Sequence, residues 1–409
     1  MRPLTTFEHA TLTAQDFCHP HDFDWLIEQN FSCFSIVRKA KQWQLNVRHY
    51  LGVIGLPSGQ PLEILPKISQ YADIPTTRHW VQTMLADIWH TLPNTPLPSL
   101  ANQHILPNIN ADLALSTWLY QHFVARLSQY QPNQHYQNIE QNQNYLQGKL
   151  LVKQQLQHNS HQAHKFFSQY DTFAATTASN RIIKTALQLF ATLQIGQPAV
   201  RVNAPFWHTI EPLIPSQYAQ FFAQSQSELH LLSPAQRQVT EPLLILSQWL
   251  LKLQQPLPSF APNQLQLTFL INMHTAFEKW VSCCIARQFA TDFTALLQRS
   301  QPLVLAENGD TLLSIKPDIV LQRGADTIVA DVKWKSISRI SEIGLADIYQ
   351  LLTYASECKA RQAWLIVPSL GGEPMTKNLA QPMNFAQPKT AQLMLVPFDV
   401  TQARLLLCH

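Results

Sequence analysis

Two short segments toward the C-terminal end carry the residue types of metal-assisted phosphoryl chemistry. They are Lys316-Pro317-Asp318-Ile319-Val320 and, after one turn, Ala330-Asp331-Val332-Lys333-Trp334-Lys335. Side chains alternate along a strand, so Asp331 and Lys333 share one face and Val332 takes the other. The Asp318 and Asp331 carboxylates are hard oxygen ligands of the kind Mg²⁺ takes one or two at a time, beside waters and phosphate oxygens. Beside such an ion, Lys333 can hold or polarise an attacking water, or offset charge growing on a phosphate oxygen. The hairpin alone suits a second reading equally: a solvated acid and lysine on an edge strand.

The elements that must position these groups are readable from local pattern. Thr311-Leu312-Leu313-Ser314-Ile315 leads into Pro317-Asp318-Ile319-Val320-Leu321, Arg323-Gly324-Ala325-Asp326 supplies turn chemistry, and Thr327-Ile328-Val329-Ala330 resumes a β-rich run. Downstream, residues 347–354 have helical spacing that places Asp347, Gln350 and Tyr354 on one stripe. Gln350 and Tyr354 can face the site, where an amide and a phenol orient a lysine, a water or a phosphate; an amphipathic helix with a polar edge gives the same pattern. Upstream, residues 271–281 read as a helix with Met273, Phe277, Trp280 and Val281 on its apolar stripe. Glu278 borders that stripe, placed either to reach a metal or its surroundings or simply to be solvated.

Helix with Glu278, strand with Pro317-Asp318, strand with Asp331-x-Lys333, helix with Gln350-x-x-x-Tyr354: this order resembles the PD-(D/E)xK nuclease superfamily. Within it, Asn272 to Val281 resembles the Met-Asn-x-x-Phe-Glu-like helix of McrC, the nuclease subunit of modified-cytosine restriction systems, with Ile271-Asn272-Met273 inverting the usual Met-Asn order. Arg48-His49-Tyr50-Leu51-Gly52-Val53-Ile54 and Leu62-Glu63-Ile64-Leu65-Pro66-Lys67-Ile68 are similar to the N-terminal β-segment of that family. Residues 136–140, Gly148-Lys149-Leu150, Tyr170-Asp171-Thr172-Phe173 and Asn180-Arg181-Ile182-Ile183-Lys184 resemble its middle region, in order.

Each of those segments has a plain physical reading as well. Trp43, Leu45 and Val47 alternate with Gln44, Asn46 and Arg48 as in a half-buried strand, and the turn Pro57-Ser58-Gly59-Gln60 permits a return through Leu62 and Ile64. Residues 80–90, 112–130 and 181–193 read as helices, the last with Asn180 as its cap, and Pro242 is placed to start a helix through Trp249 to Leu253. Proline-rich stretches at 93–98 and 255–262 read as linkers. His158, His161 and His164 recur every three residues in a polar setting with no nearby acid or Cys cluster, which suits surface histidines.

At 409 residues, with 46% hydrophobic content, the chain is long enough for two or three domains with sizeable cores. A net charge of +3 gives little counterion-release affinity unless the basic residues are concentrated locally. The six cysteines form no C-x-x-C pair, which argues against structural zinc, and no apolar stretch reaches the roughly 18 residues of a membrane span. Cytoplasmic residence with reduced thiols and no membrane association is the expectation. No G-x-x-x-x-G-K-[ST] occurs, so nucleotide hydrolysis is not expected of this chain.

The expected fold is α+β and multidomain: a small β-rich partner-docking module over 1–75, a helix-rich middle over 76–255 and an endonuclease domain over 263–409. The resemblance implies that the last is an α/β PD-(D/E)xK core with a central mixed sheet flanked by helices. It also implies a Mg²⁺-dependent endonuclease subunit acting on double-stranded DNA with an AAA+ GTPase of McrB type. In it Asp318 and Asp331 hold the metal, Lys333 assists, Gln350 and Tyr354 orient, and Glu278 is auxiliary. One such site cuts one strand, so transient pairing of two nuclease domains is expected. A RecB-like repair exonuclease working with a helicase shares the same motifs, and a catalytically silent activator of an AAA+ motor is the reading outside enzymes.

Overall fold

The computed structural model describes residues 3–68, 73–88, 110–132, 135–162, 164–190, 204–253, 267–306, 308, 310–337, 342–371, 377–378 and 391–407. Both proline-rich linkers expected from the sequence lie outside these. The chain is a mixed α/β protein with several sheets, divided into two compact units. One comprises Met1–Trp118, Gln255–Ala261 and Leu267–His409; the other comprises Leu119–Gln254 and Pro262–Gln266. Segments 1–75 and 267–409 therefore fall in the same unit. Among the described residues no helix is long and apolar enough to cross a membrane.

The first unit begins with β1 (Leu4–Phe7), β2 (Thr11–Leu12), α1 (Pro20–Gln29), β3 (Phe34–Lys39), β4 (Gln42–Val47), β5 (Tyr50–Gly55), β6 (Pro61–Leu65) and α2 (Ile74–Ile88). The alternation in β4 is observed for Leu45 and Val47, which are buried, but Trp43 is exposed and lies under the Arg38 guanidinium instead. β3, β4 and β2 form one antiparallel sheet, while β6 pairs with β5 antiparallel and with β1 parallel. Glu63, buried in β6, is fully engaged: it accepts from Arg78 Nη2 at 2.7 Å, from Thr5 Oγ1 at 2.8 Å and from the Leu115 backbone N–H at 2.8 Å.

In the second unit, α3 (Leu115–Leu127), which begins in the first, is followed by β7 (His135–Gln143), β8 (Lys149–Leu150), α4 (Val152–Asn159), β9 (Phe166–Ala174), α5 (Ala178–Leu189), α6 (Ala204–His208), α7 (Tyr218–Leu231) and α8 (Pro234–Leu253). The helices expected here are present, and β7, β9 and β8 add a three-stranded sheet. Two expectations need correction. Thr177, not Asn180, caps α5: its side chain accepts from the Asn180 N–H, while the Asn180 side chain is buried and bonded to Tyr130. Pro242 lies inside α8 rather than at its start. The helix begins earlier because Ser233 and Gln236 make reciprocal bonds over Pro234, a capping box with proline in the first turn. The buried run from Leu243 to Leu251 then holds the helix together past the bond that Pro242 cannot donate.

The chain re-enters the first unit at β10 (Phe269–Asn272), which pairs with β5 and completes the order β1-β6-β5-β10. Gly52 makes this approach possible: with φ +149°, a Cβ there would lie 2.0 Å from the Phe269 carbonyl oxygen. The helix expected from residue 271 thus starts later, as α9 (Met273–Gln288), because Ile271 and Asn272 belong to the ladder and the Asn272 side chain caps the helix from the His274 N–H.

Next come β11 (Thr294–Leu297), β12 (Gln301–Leu305), β13 (Thr311–Ile315), β14 (Ile319–Arg323), β15 (Asp326–Val332), α10 (Leu345–Glu357), β16 (Gln362–Ser369), β17 (Lys377–Asn378), β18 (Gln392–Asp399) and β19 (Arg404–Leu405). β12 and β13 pair with each other, and the rest form a seven-stranded mixed sheet in the order β11-β14-β15-β16-β18-β17, with β19 on β18. The β14–β15 hairpin pairs Arg323 with Asp326 across a two-residue loop, where Gly324 supplies the positive φ. β15 and β16 are parallel and joined through α10. α10 packs Leu351, Tyr354 and Ala355 into a core with Val320, Val329, Ala363 and Leu365. On the other helix, Phe277 and Trp280 of α9 meet Trp80, Trp334 and Phe398 in a buried aromatic cluster.

Candidate active site

Asp318 stands just ahead of β14, after a proline whose fixed φ starts the strand. Its carbonyl accepts from the Gln298 N–H at 2.9 Å, and its Oδ2 accepts from the Val332 N–H at 2.8 Å, which ties the carboxylate to the neighbouring strand. Asp331, only 1% exposed, is the second-last residue of β15. Lys333 follows the strand and prolongs its pairing with β16 by donating to the Ile366 carbonyl at 2.9 Å. Its Nζ lies 2.9 Å from Asp331 Oδ2, so the shared face expected from alternation is observed. Apart from that ammonium, Asp331 Oδ2 is a buried oxygen with no hydrogen-bond partner.

One ammonium faces an excess of carboxylates, and the protonation equilibria reflect it. Asp318 is pushed up to about 6, chiefly by burial and then by the neighbouring Glu278, against the opposing Val332 hydrogen bond and Lys333 charge. Asp331 is likewise pushed up to about 6 by burial, with Asp318 and Asp347 adding to the shift and Lys333 resisting it. For Lys333 burial works against the ammonium, but the Asp331 hydrogen bond and the charges of Asp331, Asp318 and Asp347 outweigh it and the pKa is raised.

The remaining predicted residues converge on the same place. Glu278, from α9, accepts from Gln298 Nε2, and Gln298 Oε1 accepts from Lys316 Nζ at 3.2 Å. From α10, Gln350 Nε2 donates to the Tyr354 hydroxyl at 2.7 Å, and that hydroxyl donates to the Lys316 carbonyl at 3.3 Å. Burial raises the Tyr354 pKa, with the Asp331 and Asp318 charges adding to it and the Gln350 bond resisting. All six of Glu278, Asp318, Asp331, Lys333, Gln350 and Tyr354 thus gather at one end of the hairpin. His158, His161 and His164 are exposed, as expected, with His158 stacked on Phe167.

Sequence reasoning gave no role to Gln298, to the Lys335–Asp347 ion pair or to Glu8. Lys335 Nζ lies 2.6 Å from Asp347 Oδ2. Glu8, buried beyond β1, accepts from Trp334 Nε1 at 3.1 and 3.2 Å and is pushed up to about 7, mainly by burial. Asp347 reads from sequence as an ordinary acid in a first helical turn. Nothing local marks Gln298 or Glu8.

Among the described residues no group of three or more His, Cys, Asp or Glu is arranged to close around a metal ion. The donor set is the other kind: two carboxylates, one with a buried oxygen met only by the Lys333 ammonium, next to a half-exposed Glu278 and an exposed Lys316. That fits Mg²⁺, which keeps several waters and leaves room for phosphate oxygens, better than a cation that needs a complete protein cage.

The family model described as McrBC 5-methylcytosine restriction system component matches residues 45–368. Among solved structures, the chain is similar to one in the refined half-complex from a tetradecameric assembly of Thermococcus gammatolerans McrB AAA+ hexamers with bound McrC. There it has 14% identity, a TM-score of 0.59 and coverage of 98% of both chains, a likeness of fold. A second match, in the cryo-EM structure of the Thermococcus gammatolerans McrBC complex, has 16% identity and a TM-score of 0.39 over 70% of this chain and 88% of that one. No curated protein matches. With 324 of its 409 residues under the family model, the chain belongs to the McrBC 5-methylcytosine restriction system component family.

Proposed function

We propose that this chain is the nuclease subunit of a modified-cytosine restriction complex, a type IV restriction endonuclease subunit that hydrolyses DNA phosphodiester bonds at the β14–β15 hairpin. The observation that carries the reading is the pair of carboxylates, buried Asp331 and half-buried Asp318, set against the ammonium of Lys333. The mixed sheet with α9 and α10 is read as a PD-(D/E)xK core.

Asp318 and Asp331 would hold Mg²⁺, which supplies Lewis-acid polarisation of a phosphate oxygen and of water. Lys333, fixed by Asp331, is positioned to hold the attacking water or to offset charge on a non-bridging phosphate oxygen as the P–O ester bond breaks. The Gln350–Tyr354 pair orients groups on the α10 side, and Glu278 with Gln298 shapes the α9 side. One site of this kind serves one strand, so a double-strand break requires two copies. Family membership and the fold likeness to a chain from an assembly of McrB AAA+ hexamers with bound McrC support an AAA+ GTPase partner for target recognition and translocation. The β-rich segment 1–75 is the docking surface we assign to that partner, and the cytoplasm is the compartment.

The test is cleavage of a closed circular duplex carrying methylated cytosine, with partner, GTP and Mg²⁺. The wild-type chain is expected to cut it, and Asp331→Ala or Lys333→Ala to abolish cutting while stability and assembly persist. Strict dependence on a free DNA end would replace this reading with a RecB-like exonuclease. Hairpin variants that change neither DNA degradation nor GTPase stimulation would leave only an activator of the motor.

A further inference from the structure

The chain turns sharply immediately after Lys333: the Lys335 N–H donates to the Lys333 carbonyl at 3.0 Å, a three-residue turn. Between the two lysines, Trp334 is buried in the aromatic cluster and anchored by Glu8, so the turn cannot swing freely. Lys335 consequently reaches α10, where Asp347, buried in the first turn, holds its ammonium at 2.6 Å. The Lys335 side chain remains 45% exposed against 24% for Lys333. The two cations therefore differ in duty: Lys333 is committed to Asp331, and Lys335 stands beside it toward solvent.

A structural role explains this poorly. An ion pair with one half-exposed partner contributes roughly 0–1 kcal/mol. Asp347 also adds negative charge next to Asp331, a cost the fold would avoid by placing a neutral residue there. His274, on the first turn of α9, loses proton affinity through burial and then through the charges of Lys335 and Lys333, which brings all three groups within electrostatic reach of each other.

We propose that Lys335, held by Asp347, is a second phosphate-binding cation of the site, which grips the phosphodiester next to the scissile one on the same DNA strand. The inference rests on the nuclease reading of the hairpin and adds a positioning residue to it. A strand laid across this turn meets Lys333 at the bond to be broken and Lys335 at its neighbour, which fixes the register of the strand over Asp318 and Asp331. Asp347 keeps the ammonium extended when no DNA is present.

The test is binding of the full chain to a short labelled duplex, with Ca²⁺ in place of Mg²⁺ so that no strand is cut, over a range of salt concentrations. Lys335→Ala is expected to weaken binding about tenfold and to make the slope of log affinity against log salt shallower by about one, the signature of one lost phosphate contact. Lys335→Arg should restore the slope, and Lys335→Gln should not. Wild-type affinity and slope in Lys335→Ala would overturn the inference. Asp331→Ala, assayed for cleavage beside it, separates the two readings. Cleavage that survives there removes the active site itself, whereas cleavage lost there with an unaltered Lys335→Ala slope removes only the second cation.

Discussion

Two buried acids in the same compact unit, Glu63 and Asp331, are each 1% exposed, and each has one cation beside it. Around Glu63 the accounts close. Arg78, Thr5 and the Leu115 N–H together occupy both oxygens, and the charge is matched one to one. Around Asp331 they do not: the charges of Asp318 and Asp347 also bear on the Lys333 ammonium, Glu278 bears on Asp318, and the buried Asp331 Oδ2 has no hydrogen-bond partner apart from that ammonium. A buried carboxylate that the fold needs is neutralised completely. One left under-compensated is, on the function proposed above, where a divalent cation would complete the charge balance.

Removing either acid should therefore have unlike consequences. Glu63→Ala leaves the largely covered Arg78 without its partner and strips the Leu115 N–H and Thr5 of theirs. Chemical denaturation should show a loss of about 3–5 kcal/mol, and a loss under 1 kcal/mol would break the contrast. Mg²⁺ should do the reverse at the hairpin, raising wild-type stability at neutral pH by about 1.4 kcal/mol when present at ten times its Kd. The same titration on Asp331→Asn should give no such gain, whereas Glu63→Gln should retain it.

A smaller effect concerns pH. Asp318 and Asp331 lie near 6 in the folded chain against an ordinary 3.8, so the folded state holds their protons more tightly. The stability this contributes is complete below pH 3.8 and is lost as pH rises through 6. Metal-free Asp331→Asn should flatten that decline, as read by melting temperature across pH 4 to 7; a decline as steep as wild type would place the shifted groups elsewhere. Smallest of all, Gln350→Ala removes one hydrogen bond to Tyr354 and should cost about 1 kcal/mol or less in stability, with a several-fold reduction in cleavage measured at saturating DNA.

The geometry of the candidate site was largely legible in the sequence because its parts obey local periods. Asp331 and Lys333 are two apart on a strand, Gln350 and Tyr354 four apart on a helix, and Glu278 borders an apolar stripe, so spacing alone aims each of them. What escaped notice depends on partners far away in the chain. Glu8 meets Trp334 across 326 residues, and the pairing of β10 with β5 joins residue 269 to residue 53, neither with any local mark. The sheet of β7, β8 and β9 went unread because β7 is rich in Gln and Asn, β8 is two residues long and β9 lacks a clean apolar-polar alternation. Pro242 misled for another reason: proline is an ordinary first-turn residue, but Ser233-Pro234-Ala235-Gln236 is the stronger start signal for the same helix.

The most direct measurement is Mg²⁺-dependent cleavage of methylated closed circular DNA by Asp331→Asn, with the AAA+ partner and GTP present and the fold verified by circular dichroism. The change keeps the side chain's shape while removing the charge and turning one acceptor oxygen into an N–H donor. Cleavage should fall by at least about a hundredfold, the scale of losing one electrostatic contributor to a reacting centre. A folded Asp331→Asn chain that cuts at the wild-type rate under saturating Mg²⁺ would contradict the assignment of the hairpin as the active site.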